Sequence, residues 1–280
     1  SKHSASRSRD LYFATYQGID GDAVADDTDD ATPPSVFESL PRDFFDLVVV
    51  DECHRGSAAR DSQWRGILEH FDAAVQVGLT ATPKRDTNVD TYEYFGQPVY
   101  EYSLGQGIED GYLAPYRVRR VVLDVDAFGW QAIPGQVDAF GRPVPEGLYT
   151  TKDFERRVSL PDRTEAMARH LVGLLRDEPR ARAVVFCVSA QHAYDMKQAL
   201  LNADPDATRL DPEWAVRIVG TEPDRDRLLE GMTDPTRESP RVATTMRLLS
   251  TGVDIEDLNF VVLCRPVGSM VEFKQIVGRG

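Results

Sequence analysis

The sequence predicts an α/β chain built on parallel sheets, and three observations carry the prediction. Short apolar runs rich in β-branched residues, among them Leu47 to Val50, Ala74 to Leu79, Ala183 to Val188, Ala215 to Val219 and Asn259 to Cys264, alternate with segments of helical spacing. Such unbroken runs suit strands covered on both faces, as in a parallel sheet flanked by helices. Several runs then end abruptly in polar side chains, and the C-terminal ends of parallel strands are where α/β proteins gather their chemistry. At 280 residues and 41% hydrophobic content, the chain can fill two cores.

Composition excludes several classes. No apolar run reaches 18 residues, and SKHSASRSRD has no apolar core behind its charges, so neither a membrane span nor a secretory signal is predicted and the expected compartment is cytoplasmic. Cys53, Cys187 and Cys264 each sit in or just after an apolar run with no CxxC spacing, and read as buried thiols. Adjacent side chains leave a strand end in different directions, which argues against metal ligation by the Cys53-His54 pair. The formal charge of −14 argues against attraction of nucleic acid over the whole surface, so any phosphate binding must be local. Of 32 basic residues 27 are Arg, and Asp outnumbers Glu by 30 to 16. Adaptation to concentrated salt and a GC-rich genome both give this bias.

Taken in order, Leu11 to Gln17 alternates like a strand and delivers Thr15 to its end, as a phosphate-bonding hydroxyl or an ordinary strand terminus. Asp20 to Asp30 reads as a solvated loop, Val36 to Leu40 as a short helix, and Trp64 to Phe71 as a helix with one apolar face. Tyr92 to Tyr116 is dense in Tyr, Gly and Pro, suited to stacking on bases or to closing a domain edge. Arg117 to Asp126 reads as an edge strand with three arginines, and Phe128 to Tyr149 as hairpins or loops joining two domains. A second α/β pattern opens at Pro161 with an apolar stripe of Ala166, His170, Leu171, Leu174 and Leu175. Gln191 to Leu201 reads as a helix with His192 at its first turn, to cap, to pack or to reach a phosphate. Helices are also predicted near Pro223 to Met232 and over Ser269 to Val277, with a strand over Arg241 to Thr245 between them.

The sharpest chemistry is in FFDLVVVDECHR, Phe44 to Arg55. Asp51 and Glu52 leave a strand end together, where one carboxylate can hold Mg²⁺ and its neighbour can polarise the water that attacks a γ-phosphate, a Walker B arrangement. Thr80-Ala81-Thr82-Pro83 caps the next apolar run, placing two hydroxyls where they can bridge a nucleotide and a second domain.

With DECH, TATP, TTMRLLSTGVD and QIVGRG in this order, the chain resembles superfamily 2 helicases and translocases. VDECHRG, WRGILEHF, GLTATPKR, YFGQPVYEYSLGQGIEDGYLAPY, LLSTGVD and FKQIVGRG sharpen the likeness to the motor region of the R subunit of type I restriction enzymes, over nearly the whole chain. The resemblance implies two RecA-like parallel-sheet domains in tandem: residues 1–116 as the back half of the first, 117–158 as a linker, and 159–280 as the second, cut near its C-terminal motif. It implies ATP and Mg²⁺ as cofactors, with Asp51 on the metal and Glu52 on the water. His54, Thr80 and Thr82 would couple the nucleotide to the track, and Gly252 and Asp254 would sense the γ-phosphate. Gln275 and Arg279 would face transition-state charge. Thr15, Ser189 and Thr244 or Thr245 would hold the phosphates of one strand of double-stranded DNA. Modification and specificity subunits would be the protein partners. No GxxxxGK[ST] occurs in the 280 residues. The chain is therefore expected to be part of a longer subunit, to hydrolyse almost no ATP alone, and to expose a sheet edge in its first domain. The alternatives are a repair or transcription-associated helicase of the same superfamily, or a noncatalytic DNA-binding or assembly module.

Overall fold

The structure is a computed structural model that describes residues 9–15, 19, 36–53, 63–80, 85–86, 89–138, 141–246, 255, 258–268, 272–273 and 276. The chain divides into two compact units, Ser1–Tyr102 and Ser103–Gly280.

In the first unit a 3₁₀ turn, Phe37–Ser39, precedes β1 (Leu47–Val50), α1 (Gln63–His70) and β2 (Val75–Gly78). β1 and β2 pair in parallel, Leu47 opposite Val75 and Val50 opposite Gly78. Helical spacing puts Ile67, Leu68 and Phe71 on one side of α1 and its end. Ile67 and Phe71 pack with Phe37 and Leu40, while Leu68 packs with Val50 and Cys53. A short antiparallel pair, β3 (Arg85–Asp86) and β4 (Val89–Asp90), leads into α2 (Thr91–Phe95), whose Phe95 packs against the Val50 cluster. β1 is not covered on both faces as its apolar run predicts. Leu47 and Val49 are 54% and 55% exposed, and Val75, opposite Leu47, is 65% exposed. Period-2 alternation sends these side chains to the face away from α1, where no described element lies over them. Residues 11–15 form no strand, because no described neighbour offers them a ladder.

The second unit begins with α3 (Leu104–Glu109), closed by a capping box in which Ser103 and Gln106 satisfy each other's backbone amides. The predicted edge strand over 117–126 is absent. Residues 117–123 run without a pairing partner, and Asp124–Phe128 forms α4. The β-branched residues there favour extended backbone, but without a neighbouring strand no ladder forms. The hairpin prediction holds in β5 (Trp130–Ala132), antiparallel to β6 (Gly147–Tyr149). Their small core, Ala132, Val144, Tyr149, Phe154 and Val158, is separate from the main sheet's clusters. Arg163 of the next helix pairs with Asp126 at 2.8 Å, both largely buried, and ties α4 to that helix.

The main sheet is parallel, ordered β10-β7-β9-β8, from β7 (Arg182–Phe186), β8 (Ala215–Arg217), β9 (Val242–Thr245) and β10 (Leu258–Leu263). Successive side chains part to opposite faces. Ala183, Val185 and Cys187 join α5 (Pro161–Asp177) and α6 (Ala190–Ala203) in one core, which also takes in Trp214 beyond α7 (Pro205–Leu210). Val184 and Phe186 join Leu228 and Met232 of α8 (Arg225–Thr233), with Ile255 and Ile276, in the other. β7 is therefore buried along its whole length. The buried side of α5 is Thr164, Ala168, Leu171, Val172 and Leu175, rotated from the predicted stripe because Ala168 and Val172 complete it in place of Ala166 and His170. The three cysteines are free and buried. Burial raises all three thiol pKa values, Cys264 to about 12, so none is a thiolate at neutral pH.

Candidate functional site

β1 delivers Asp51, Glu52 and Cys53 from its C-terminal end, and β2 delivers Leu79 and Thr80 from the same end of the neighbouring strand. The two chain ends are knitted together: the Leu79 amide donates to Val50 O at 2.8 Å, and the Cys53 amide to Leu79 O at 3.1 Å. Two residues past the paired Val50 and Gly78, Glu52 and Thr80 thus leave adjacent parallel strands, whose spacing is about 4.8 Å. Asp51 Oδ1 accepts the Glu52 amide at 2.8 Å, which orients one side of the carboxylate by a local turn. Glu52 has φ 51°, in the left-handed region that a side-chain-bearing residue enters at a cost of about 1 kcal/mol or more. The turn follows directly after the strand, so that two successive carboxylates stand at its end. Gly78 makes room for this arrangement: a Cβ there would meet Cys53 Sγ at 2.9 Å and the Phe95 ring at 3.0 Å.

A carboxylate and a hydroxyl at one strand edge are hard oxygen donors, and suit Mg²⁺ held largely through water. Among the described residues no group of three or more His, Cys, Asp or Glu side chains forms a closed metal cage. His54 and Thr82 lie outside the described residues, as do Gly252, Asp254, Gln275 and Arg279 of the second unit.

In the second unit the described site residues collect at the C-terminal edge of the main sheet. Ser189 follows β7 and caps α6, its Oγ accepting the His192 amide at 3.0 Å. Thr244 and Thr245 end β9, and the Thr245 carbonyl accepts the Cys187 amide at 2.7 Å, so the β7 and β9 ends are adjacent. Thr244 is fully buried and its hydroxyl donates to Ala193 O at 2.7 Å, a bond between sheet and α6. Thr245 is also buried. In the first unit Thr15 is exposed, with its carbonyl accepting the Ile19 amide. His192 is the polar residue that sequence left open: it is 1% exposed, its Nδ1 accepts the Val188 amide at 3.2 Å, and burial lowers its pKa to about 4. Missed altogether is Arg265 beyond β10, largely buried and paired with Glu272, whose other oxygen accepts the Gly268 amide at 2.9 Å. The Cys264-Arg265-Pro266 run gives no periodicity that could have flagged it.

Comparison with known proteins agrees with this geometry. Residues 1–85 match the family model described as type III restriction enzyme, res subunit, and residues 165–280 match the helicase conserved C-terminal domain. The endonuclease subunit of the type I restriction enzyme EcoAI from Escherichia coli is 43% identical over 97% of this chain and 33% of its own length. That of EcoKI, from Escherichia coli strain K12, is 28% identical over 86% of this chain and 23% of its own length. Among solved structures, a fragment described as an HsdR subunit of a type I restriction enzyme from Vibrio vulnificus YJ016 superposes with a TM-score of 0.75. It is 41% identical and the match covers 99% of this chain and 45% of that one. The chain thus spans about a third or less of the length of these two curated relatives. Sequence motifs, parallel-sheet architecture and relatives converge: the chain matches the superfamily 2 helicases, as the helicase-like region of a type I restriction enzyme R subunit.

Proposed function

We propose that this chain is the ATP-driven motor of a type I restriction endonuclease subunit, moving the enzyme along double-stranded DNA. The observation that carries the reading is the Asp51-Glu52 pair at the end of β1, on a strand end that Leu79, next to Thr80 at the end of β2, bonds through Val50 and Cys53. Asp51 holds Mg²⁺, which when bound supplies charge neutralisation at the phosphate oxygens. Glu52 accepts a proton from the attacking water and orients it. His54, Thr80 and Thr82 pass the nucleotide state to the DNA track. Gly252 and Asp254 sense the γ-phosphate, while Gln275 and Arg279 meet transition-state charge, the latter in a role worth roughly 10³–10⁵ in rate. Thr15, Ser189 and one of the paired threonines hold backbone phosphates. The working division is 1–116, 117–158 and 159–280, and the cytoplasmic partners are DNA with the modification and specificity subunits.

One observation favours a second reading for these 280 residues taken alone: they contain no phosphate-cradling GxxxxGK[ST] loop. In isolation the chain then acts as a DNA-binding or assembly module and turns over almost no ATP. The test is steady-state ATP hydrolysis by the full-length subunit, with and without linear duplex DNA, beside Glu52→Gln. The expected outcome is DNA-stimulated hydrolysis that falls by roughly 10²-fold or more in the variant. Hydrolysis unchanged by Glu52→Gln would remove the assignment. Displacement of a triplex-forming strand without unwinding of a forked duplex separates a translocase from a repair-type helicase.

A further inference from the structure

Gly111 to Leu123 holds three arginines, Arg117, Arg119 and Arg120, and no carboxylate, in a chain whose formal charge is −14. The stretch lies in the open: every residue from Ala114 to Val122 is exposed. Among the described residues, no backbone amide or carbonyl of 114–122 has a hydrogen-bond partner, and none of the three guanidiniums meets a carboxylate or a carbonyl. Elsewhere in the second unit Arg142, Arg157, Arg163, Arg217 and Arg227 each pair with a carboxylate. The fold neutralises those arginines and leaves this run uncompensated.

Two kinds of partner could use an exposed, extended, unpaired segment, and its charge pattern separates them. Alternation places Arg117, Arg119 and Val121 on one side of the backbone and Val118, Arg120 and Val122 on the other. A protein strand added here needs an apolar face to cover, and charge on both faces blunts that pairing. A polyanion makes the opposite demand. It gains from positive charge on every side and from amides free to serve phosphate oxygens. Guanidiniums also match phosphate in planar, two-pronged geometry.

We infer that Arg117, Arg119 and Arg120 form a contact strip for the phosphate backbone of duplex DNA. The choice of DNA rests on the motor reading, but the strip lies outside the DECH, TATP, TTMRLLSTGVD and QIVGRG stretches that support that reading. It supplies positive charge locally, as a chain of net negative charge must to hold a polyanion. Contacts to phosphates carry no base information, so the strip grips DNA of any sequence.

The experiment is fluorescence anisotropy of a labelled linear duplex with the full-length subunit, without ATP, from about 50 to 200 mM salt. Each arginine that neutralises one phosphate adds about 0.9 to the slope of log affinity against log salt. Arg117→Gln, Arg119→Gln and Arg120→Gln combined should therefore lower the slope by about 2.7 and weaken binding roughly 10²-fold or more at about 0.1 M salt. The loss should be equal for two duplexes of unrelated sequence. Arg169→Gln, an exposed arginine of α5 already held by Glu165, is the control and should leave the slope unchanged. A triple variant with the wild-type slope, or a loss confined to one duplex sequence, overturns the inference. Protection of the 117–122 amides from exchange in the DNA-free subunit, together with an unchanged slope, identifies a docked protein strand instead and also overturns it. Glu52→Gln, tested by hydrolysis, bears on the motor reading alone. A subunit that binds duplex equally with and without the three arginines therefore removes only the strip.

Discussion

His192 joins packing and titration in one side chain. Burial, aided by the charge of Arg163, lowers its pKa from 6.5 to about 4. Between those values the unfolded chain binds a proton that the folded chain refuses, so stability rises with pH across the window. The contribution is complete above pH 6.5 and is lost as pH falls toward 4. It amounts to about 3 kcal/mol at most, from 1.36 kcal/mol per unit. Urea midpoints measured at pH 7.5 and pH 5 should show this loss, and His192→Gln should flatten the difference. Nothing local in AQHAYD announces such a residue. The Arg163 charge that adds to the effect of burial lies on another helix, outside that local run. Asp51 and Glu52 were legible for the opposite reason, since a strand-end carboxylate pair is written in consecutive residues.

Among the elements, two strands begin with arginines whose role is structural. Arg182, 4% exposed at the start of β7, donates to the carbonyls of Gly231, Met232, Asp234 and Arg237, which include the last turn of α8 and the chain just beyond it. Arg241, just before β9, donates to Leu175 O and Glu178 O at the end of α5. Both satisfy carbonyls that a helix end leaves unpaired and place positive charge at the negative end of the dipole. Arg182→Met should cost about 3 kcal/mol, and amide exchange across Leu228 to Thr233 should accelerate first. Arg182→Lys should recover only part of that loss, since one ammonium cannot span four carbonyls. The main-sheet strands and α5, α6 and α8 of the second unit were legible because their apolar periodicity is local. The capping arginines were not, because their partners are 49 to 66 residues away. The false edge strand over 117–126 shows the converse limit, in which strand-forming side chains find no strand to pair with.

At the scale of the whole molecule, the two units differ in how completely they are covered. The main sheet has a core on each face, whereas β1 and β2 present Leu47, Val49 and Val75 on a face that no described element covers. Light scattering of the 280-residue chain should show concentration-dependent self-association, and Val75→Lys should reduce it without loss of helix content. The sequence indicated an exposed edge in the first sheet and a β1 covered on both faces, and the exposed face was missed because an apolar run cannot say where a covering layer is present. Of the sites expected from the motifs, the strand ends that bear Asp51, Glu52, Thr80, Ser189 and Thr245 are among the described residues. His54, Thr82, Gly252, Asp254, Gln275 and Arg279 are outside them.

The capping arginines also bear on mechanics. Arg182 and Arg241 fasten the ends of α8 and α5 to the N-terminal edge of the main sheet, while Ser189 and Thr245 stand at its C-terminal edge. A pull applied at the C-terminal edge runs lengthwise down β7 and β9 into anchors at the far side. It loads the backbone bonds between these parallel strands in shear, all together, instead of peeling them open one by one. The sheet is thereby stiff along the direction of its strands.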